Sequence, residues 1–191
     1  MCQKYRHITR RLMMRSFLFA VMAGMALATG TQAEDFTLSS PDIQSGKAPE
    51  SMVLVKAYGF GCDGANIAPS LTWSHAPAGT KSFVLTLYDK DAPTGIGFMH
   101  WVVVNIPADQ TAIPASAILP AQALQTRSDI GVPGFLGVCP PAGETHAYVF
   151  TLSALKVDAL PVDANATPAL VGFMTHANLL GQATLTFSYG R

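Results

Sequence analysis

Residues 82–107, SFVLTLYDKDAPTGIGFMHWVVVNIP, confine this chain to a sheet-based fold. Phe83, Leu85 and Leu87 alternate with Val84, Thr86 and Tyr88, the period of two that sends successive side chains to opposite faces of a strand. Residues 101–106 form a nearly continuous apolar run, the pattern of a strand buried on both faces. Between the two lies Asp89-Lys90-Asp91-Ala92-Pro93-Thr94-Gly95-Ile96-Gly97, a turn with two carboxylates, a rigid proline and two glycines. His100 stands at the mouth of the second strand. Two acids and a histidine thus sit at the loop ends of neighbouring strands, where a sheet can hold them as a site.

The chain around this pair suits one globular domain: 191 residues, 49% hydrophobic and 13% charged. Its formal neutrality hides a polarity between its ends. Residues 1–33 carry Lys4, Arg6, Arg10, Arg11 and Arg15 and no acid. An apolar run over 17–28 follows, then Thr31-Gln32-Ala33. A basic head, an apolar stretch too short for a permanent span and a small-x-Ala end make a secretory signal peptide over 1–33, cleaved after Ala33. The domain is then 34–191, periplasmic or secreted. Thr9-Arg10-Arg11-Leu12 loosely resembles a twin-arginine signal, and a translation start at Met13 or Met14 is the plainer reading. No cysteine follows the apolar run at a lipoprotein position, so no stable membrane anchor is expected.

Without the leader, seven basic residues face twelve acidic ones, a formal charge of about −5. That excludes nucleic acid as a natural partner, since phosphate neutralisation needs a basic face. Two cysteines remain, Cys62 and Cys139, and an even count in an exported chain points to a disulfide.

Short strands account for most of the domain. Segments 36–40, 52–58, 70–74, 147–155 and 183–189 read as strands beside the central pair. Residues 109–129 lose periodicity. Thr167-Pro168 reads as an N-cap with proline in the first helical position, followed by Leu170, Val171, Met174, Ala177 and Leu180 at helical spacing, with Gly181 closing the helix. The fold class is mainly β, an antiparallel sandwich with one C-terminal helix.

Three loops carry unusual residues: 60–69, 89–100 and 134–146, the last inside a stretch of three prolines and four glycines in sixteen residues. Brought to one end of a sandwich, they present Asp89, Asp91, His100, His146 and Tyr148 around a hollow. Histidines and backbone N–H groups donate to an anion, while aspartates orient them or accept from a cationic group. Each residue also has a plainer use. Either aspartate can cap the turn before Pro93, and a histidine between Met99 and Trp101 can be a hydrogen-bonded core residue. No G-x-S-x-G elbow and no metal-ligand spacing appears, so the residues describe a binding pocket without a nucleophile, metal or cofactor. A weak hydrolase using Asp and His on water is the remaining catalytic option.

Three blocks together are specific. Tyr88-Asp89-Lys90-Asp91-Ala92-Pro93, then His100-Trp101-Val102-Val103-Val104-Asn105-Ile106-Pro107, then Cys139-Pro140-Pro141-Ala142-Gly143-Glu144-Thr145-His146-Ala147-Tyr148 resemble the signature blocks of the phosphatidylethanolamine-binding protein family. NIAPSLTW over 66–73 and the tail ending Tyr189-Gly190-Arg191 resemble its bacterial YbhB/YbcL-type, Raf kinase inhibitor-like branch. The resemblance implies two antiparallel sheets, a C-terminal helix and a small anion-accepting pocket at one end. It implies pocket roles for Asp89, Asp91 and His100, and a wall from Pro140, His146 and Tyr148. It also implies a small anionic or zwitterionic ligand resembling a phospholipid headgroup, or, as the rival, a protein partner bound through the same pocket. Whether the protein is a monomer or a homodimer stays open. Ala68 stands where the family usually has serine, Val138-Cys139 alters the Gly-Pro-x-Pro-Pro pattern, and Ala147 replaces an arginine at the rim. Phe98-Met99 replaces a more aromatic pair, and the four changes together imply a weaker or more apolar pocket.

Overall fold

A computed structural model describes residues 34–191, so the leader assigned to 1–33 lies outside the described residues. Strands β1 (Thr37–Ser39), β2 (Leu71–Ser74), β3 (Ser82–Asp89), β4 (Phe98–Pro107), β5 (Ala112–Ile113), β6 (Leu124–Gln125) and β7 (Thr145–Leu155) precede helix α1 (Pro168–Asn178) and strand β8 (Leu179–Gly190). They form a three-stranded sheet, β1-β2-β5, and a five-stranded sheet, β6-β4-β3-β7-β8, with every pairing antiparallel.

The large sheet is covered on both faces, which is why β3 and β4 are apolar on both. Phe83, Leu85, Leu87, Trp101 and Phe150 pack with Leu38, Leu71 and Trp73 of the small sheet. Val84, Val102 and Val104 pack the other way, with Leu160 and with Val171 of α1. Each such side chain contributes about 1.5–3 kcal/mol through burial, so this double-sided packing makes β3 and β4 the rigid centre of the domain.

Two irregularities interrupt the β3–β4 ladder. Phe83 faces Ile106 but Leu85 faces Val103, and Asn105 takes a φ of 60° there. The Asn105 side chain accepts from Leu160 N–H at 2.7 Å, tying the covering loop to the sheet. The second shift lies between Leu87, opposite Trp101, and Tyr88, opposite Met99. His100 is the extra residue of this bulge, the device that re-aims a side chain at a strand end.

Three expectations need correction. The segment 52–58 is not a strand: 3-10 turns at Glu50–Met52 and Lys56–Tyr58 flank an extended piece. That piece bonds to loops on both sides, Leu54 N–H to Val138 O and Gly64 N–H to Leu54 O, leaving no ladder to join. Helix α1 begins as expected, with Thr167 accepting from Leu170 N–H and proline at its start. It stops at Asn178 rather than at Gly181, because Leu155 of β7 claims Leu179 as its first β8 partner. Within residues 109–129, β5, β6 and a 3-10 turn at Ala115–Ala117 give more order than the lost periodicity suggested.

Candidate functional site

Strand register gathers the site. Asp89 ends the central strand β3, opposite Phe98 on β4 and Tyr148 on β7. His146 lies two residues before Tyr148 and so points to the same face. His100 joins them through the bulge, its ring edge-on to Phe98 at 5.1 Å and to Tyr148 at 5.5 Å between centroids.

Asp89, His100 and His146 line a cavity of about 530 Å³. All three anticipated loops contribute to its walls: Phe60 from the first, Ala92, Pro93 and Thr94 from the second, and Leu136, Gly137, Cys139, Pro141 and Ala142 from the third. Leu54 and Phe98 add to a largely apolar lining, and Arg191 stands on it as a cation.

The hydrogen bonds fix where the protons are. His146 Nδ1 lies 2.7 Å from Asp89 Oδ2 and its Nε2 lies 3.0 Å from Glu144 Oε2. Carboxylates only accept, so both ring nitrogens donate and the ring is an imidazolium. Burial, the largest influence on this ring, opposes the charge, but the hydrogen bonds and charges of Asp89 and Glu144 outweigh it and raise its pKa. His100 behaves oppositely. Its Nδ1 donates to Leu136 O at 3.1 Å, while Leu136 N–H donates back to His100 O at 3.3 Å. Burial lowers its pKa despite that bond and the Asp89 charge, so the ring is neutral and Nε2 carries a lone pair. This Nε2 lies 3.9 Å from Asp89 Oδ2.

The other sequence-derived candidates stand differently. Asp91 does not line the cavity; its carboxylate accepts from Ala147 N–H at 2.8 Å, and its own N–H donates to Asp89 Oδ1 at 3.0 Å. Asp91 thus ties the turn to β7, while the turn cap foreseen for either aspartate is made by Asp89 Oδ1. Tyr148 is fully buried behind the lining, and its hydroxyl is without a hydrogen-bond partner among the described residues. Burial and then the Asp89 charge push that phenol far above its usual range, so it stays neutral. Pro140 is also behind the wall, where its carbonyl accepts from Arg191 Nε at 2.6 Å.

Arg191 is the residue the sequence reading missed. Its guanidinium also donates to Gly61 O at 2.6 Å and Phe60 O at 3.1 Å, spanning the two loops that the Cys62–Cys139 disulfide joins. A cation therefore stands at the cavity although Ala147 supplies none. The available signal was register: β8 pairs along β7 to Thr145–Gly190, which carries the following residue to the site end. Ala68, whose missing hydroxyl was expected to matter, lines a separate hollow of about 300 Å³ with Asn66 and Gln125. Among the described residues no group of three or more His, Cys, Asp and Glu is placed to hold a metal ion.

Comparison with known proteins agrees with this fold. Residues 39–190 match the family profile described as phosphatidylethanolamine-binding protein. The chain is 48% identical to the Escherichia coli protein YbcL over 166 residues, covering 83% of this chain and 89% of YbcL. It is also 48% identical to Escherichia coli YbhB over 155 residues, 78% of this chain and 96% of YbhB. LppC of Mycobacterium tuberculosis, whose name classes it among lipoproteins, is 37% identical over 158 residues, 82% of this chain and 73% of LppC. The crystal structure of Escherichia coli YbcL superposes with a TM-score of 0.78 at 46% identity, covering 83% of this chain and 99% of that one. The fold, the pocket-bearing blocks and these relatives agree: the chain belongs to the phosphatidylethanolamine-binding protein family, on its YbhB/YbcL-type branch.

Proposed function

We propose that this is an exported binding protein that holds a small anionic or zwitterionic ligand, resembling a phospholipid headgroup, and does not transform it. The observation that carries the reading is the cavity of about 530 Å³, apolar on its walls and polar at one end through Asp89, His100 and His146. That size and pattern is typical of small-molecule sites, in which a few placed polar groups orient a largely apolar enclosure. The family's name supports binding rather than turnover, and no cavity-lining side chain is a serine, a free cysteine or a lysine.

Export is supported by the basic-apolar-small pattern of residues 1–33, by the Cys62–Cys139 disulfide and by the name of the relative LppC. The proposed compartment is the periplasm or the exterior.

Native mass spectrometry of the protein purified from periplasm, beside His100→Ala, tests the reading. A co-purifying small mass that is lost in the variant supports it and gives the ligand's class. An empty cavity in both, with a protein captured in its place, replaces it by recognition of a protein partner.

A further inference from the structure

We infer that the smaller hollow, of about 300 Å³, is a second binding site, separate from the Asp89–His100 cavity. Its ligand is a small uncharged molecule that presents a carbonyl oxygen on a short apolar body, and amides are the class that fits. The inference is independent of what the larger cavity holds.

Distant pieces of chain build the hollow, and bonds between them hold it in shape. It is lined by Asn66, Ile67 and Ala68, by Ser116 and Ala117, by Gln125, and by Gly134 and Phe135. Asn66 Nδ2 donates to Phe135 O at 3.1 Å, and its Oδ1 accepts from Gly137 N–H at 2.7 Å. Ser116 N–H donates to Ala68 O at 2.9 Å. Leu136 and Gly137 line the larger cavity, so the two spaces share one stretch of wall. Asn66, Ser116 and Ala117 are three of the six non-glycine residues with positive φ among the described residues, and all three lie on this hollow. L side chains enter that region at a cost in free energy, and such positions gather where a site needs its backbone set in advance.

The lining side chains set the chemistry. None of the eight residues is charged, so an ion would enter without a counter-ion. Three are polar. Asn66 is committed at both ends of its amide. Gln125 meets the indole N–H of Trp101 at 2.7 Å, and because that group only donates, the amide oxygen is the atom it meets. The NH2 of Gln125 and the hydroxyl of Ser116 are then without a protein partner among the described residues. Both donate. A carbonyl oxygen has two lone pairs and accepts from either or both, while Ile67, Ala68, Ala117 and Phe135 supply apolar contact.

Three probes of similar shape, benzamide, benzoate and toluene, titrated by NMR into the isotope-labelled wild-type protein, test the site. Benzamide is expected to shift the amides of Asn66, Ser116 and Phe135 and the side-chain NH2 of Gln125, to saturation. It should bind there roughly tenfold more tightly than toluene, which has no acceptor, or benzoate, which brings an unpaired charge. Occupation of the larger cavity is read separately, at Phe98 and His100. Ser116→Ala removes one donor from an exposed turn, and should weaken benzamide several-fold while leaving toluene unchanged. Gln125→Glu keeps an oxygen for Trp101 and replaces the donor by a second acceptor. It should abolish the benzamide preference and favour benzylamine, the cation of the same shape. Equal affinity of the three probes at Asn66 and Phe135, or benzamide shifts that neither variant alters, overturns the site. Benzamide shifts confined to residues of the larger cavity overturn it as well, and so does the absence of shifts from all three probes; both leave the proposed function standing.

Discussion

His146 Nδ1 lies 2.7 Å from Asp89 Oδ2, and this bond joins the start of β7 to the end of β3 with opposite charges on its two ends. The folded protein holds a proton on His146 more tightly than the unfolded chain does. A raised histidine pKa adds stability that is complete below about pH 6.5 and fades as pH rises through the folded-state value. Urea midpoints of the wild type should therefore decline from about pH 6.5 toward pH 9 relative to His146→Gln, which carries no such proton. Parallel curves for the two proteins would remove the ion pair from the account.

His100 predicts the opposite slope. Its folded-state pKa is lowered, chiefly by burial, so the unfolded chain takes up the proton first. Stability falls as pH drops below about 6.5 until the folded ring is protonated as well. His100→Phe should lose less stability between about pH 6.5 and pH 4.5 than the wild type. Imidazole NMR titrations should show the two rings departing in opposite directions from an ordinary histidine.

Gly137 is required for the close approach of two backbones. A methyl group there would meet Met52 O, Leu54 N at 2.8 Å and Asn66 Oδ1 at 2.9 Å. Gly137→Ala should cost roughly 3 kcal/mol, the upper range for overpacking. Because Leu136 O is displaced with it, the His100 ring loses its anchor, and ligand affinity should fall even where the variant is folded. Thermal melts and binding measured side by side check both effects.

The disulfide and Arg191 fasten the same two loops. Closing a loop with a sequence separation of 77 is worth roughly 4 kcal/mol in the chain-entropy account, so replacing both cysteines with serine should cost about that much. Arg191→Ala should cost more without the disulfide than with it, since each restrains what the other holds. A double-mutant cycle in urea reads this coupling, and simple additivity would show that the two fastenings act independently.

The fold was legible where burial imposed a period. Phe83, Leu85 and Leu87 alternate because two cores lie on opposite sides of β3, and residues 101–106 run apolar for the same reason. Residues 52–58 misled because Met52, Val53 and Leu54 are all buried, yet their hydrogen bonds run to loops, and burial alone does not choose a ladder. Asp89, His100 and His146 were legible as chemistry at strand ends. Arg191 was not, because only the register of β8 on β7 brings the chain's far end to the cavity. The proton states were hidden too. They depend on Glu144 facing one side of His146 and on Leu136 facing His100, distances that spacing along the chain does not encode.

The bulge at His100 separates recognition from architecture. Trp101 already faces Leu87 and Met99 already faces Tyr88, so the residue between them has no β3 partner to give up. A chain shorter by His100 alone would close into a regular ladder with each remaining pair intact. The β3–β4 ladder therefore does not depend on His100, which is fastened instead to Leu136 of the cavity wall by two hydrogen bonds. One residue more or less at this position thus puts an imidazole into the cavity or takes it away while the strand pairs on either side stay the same.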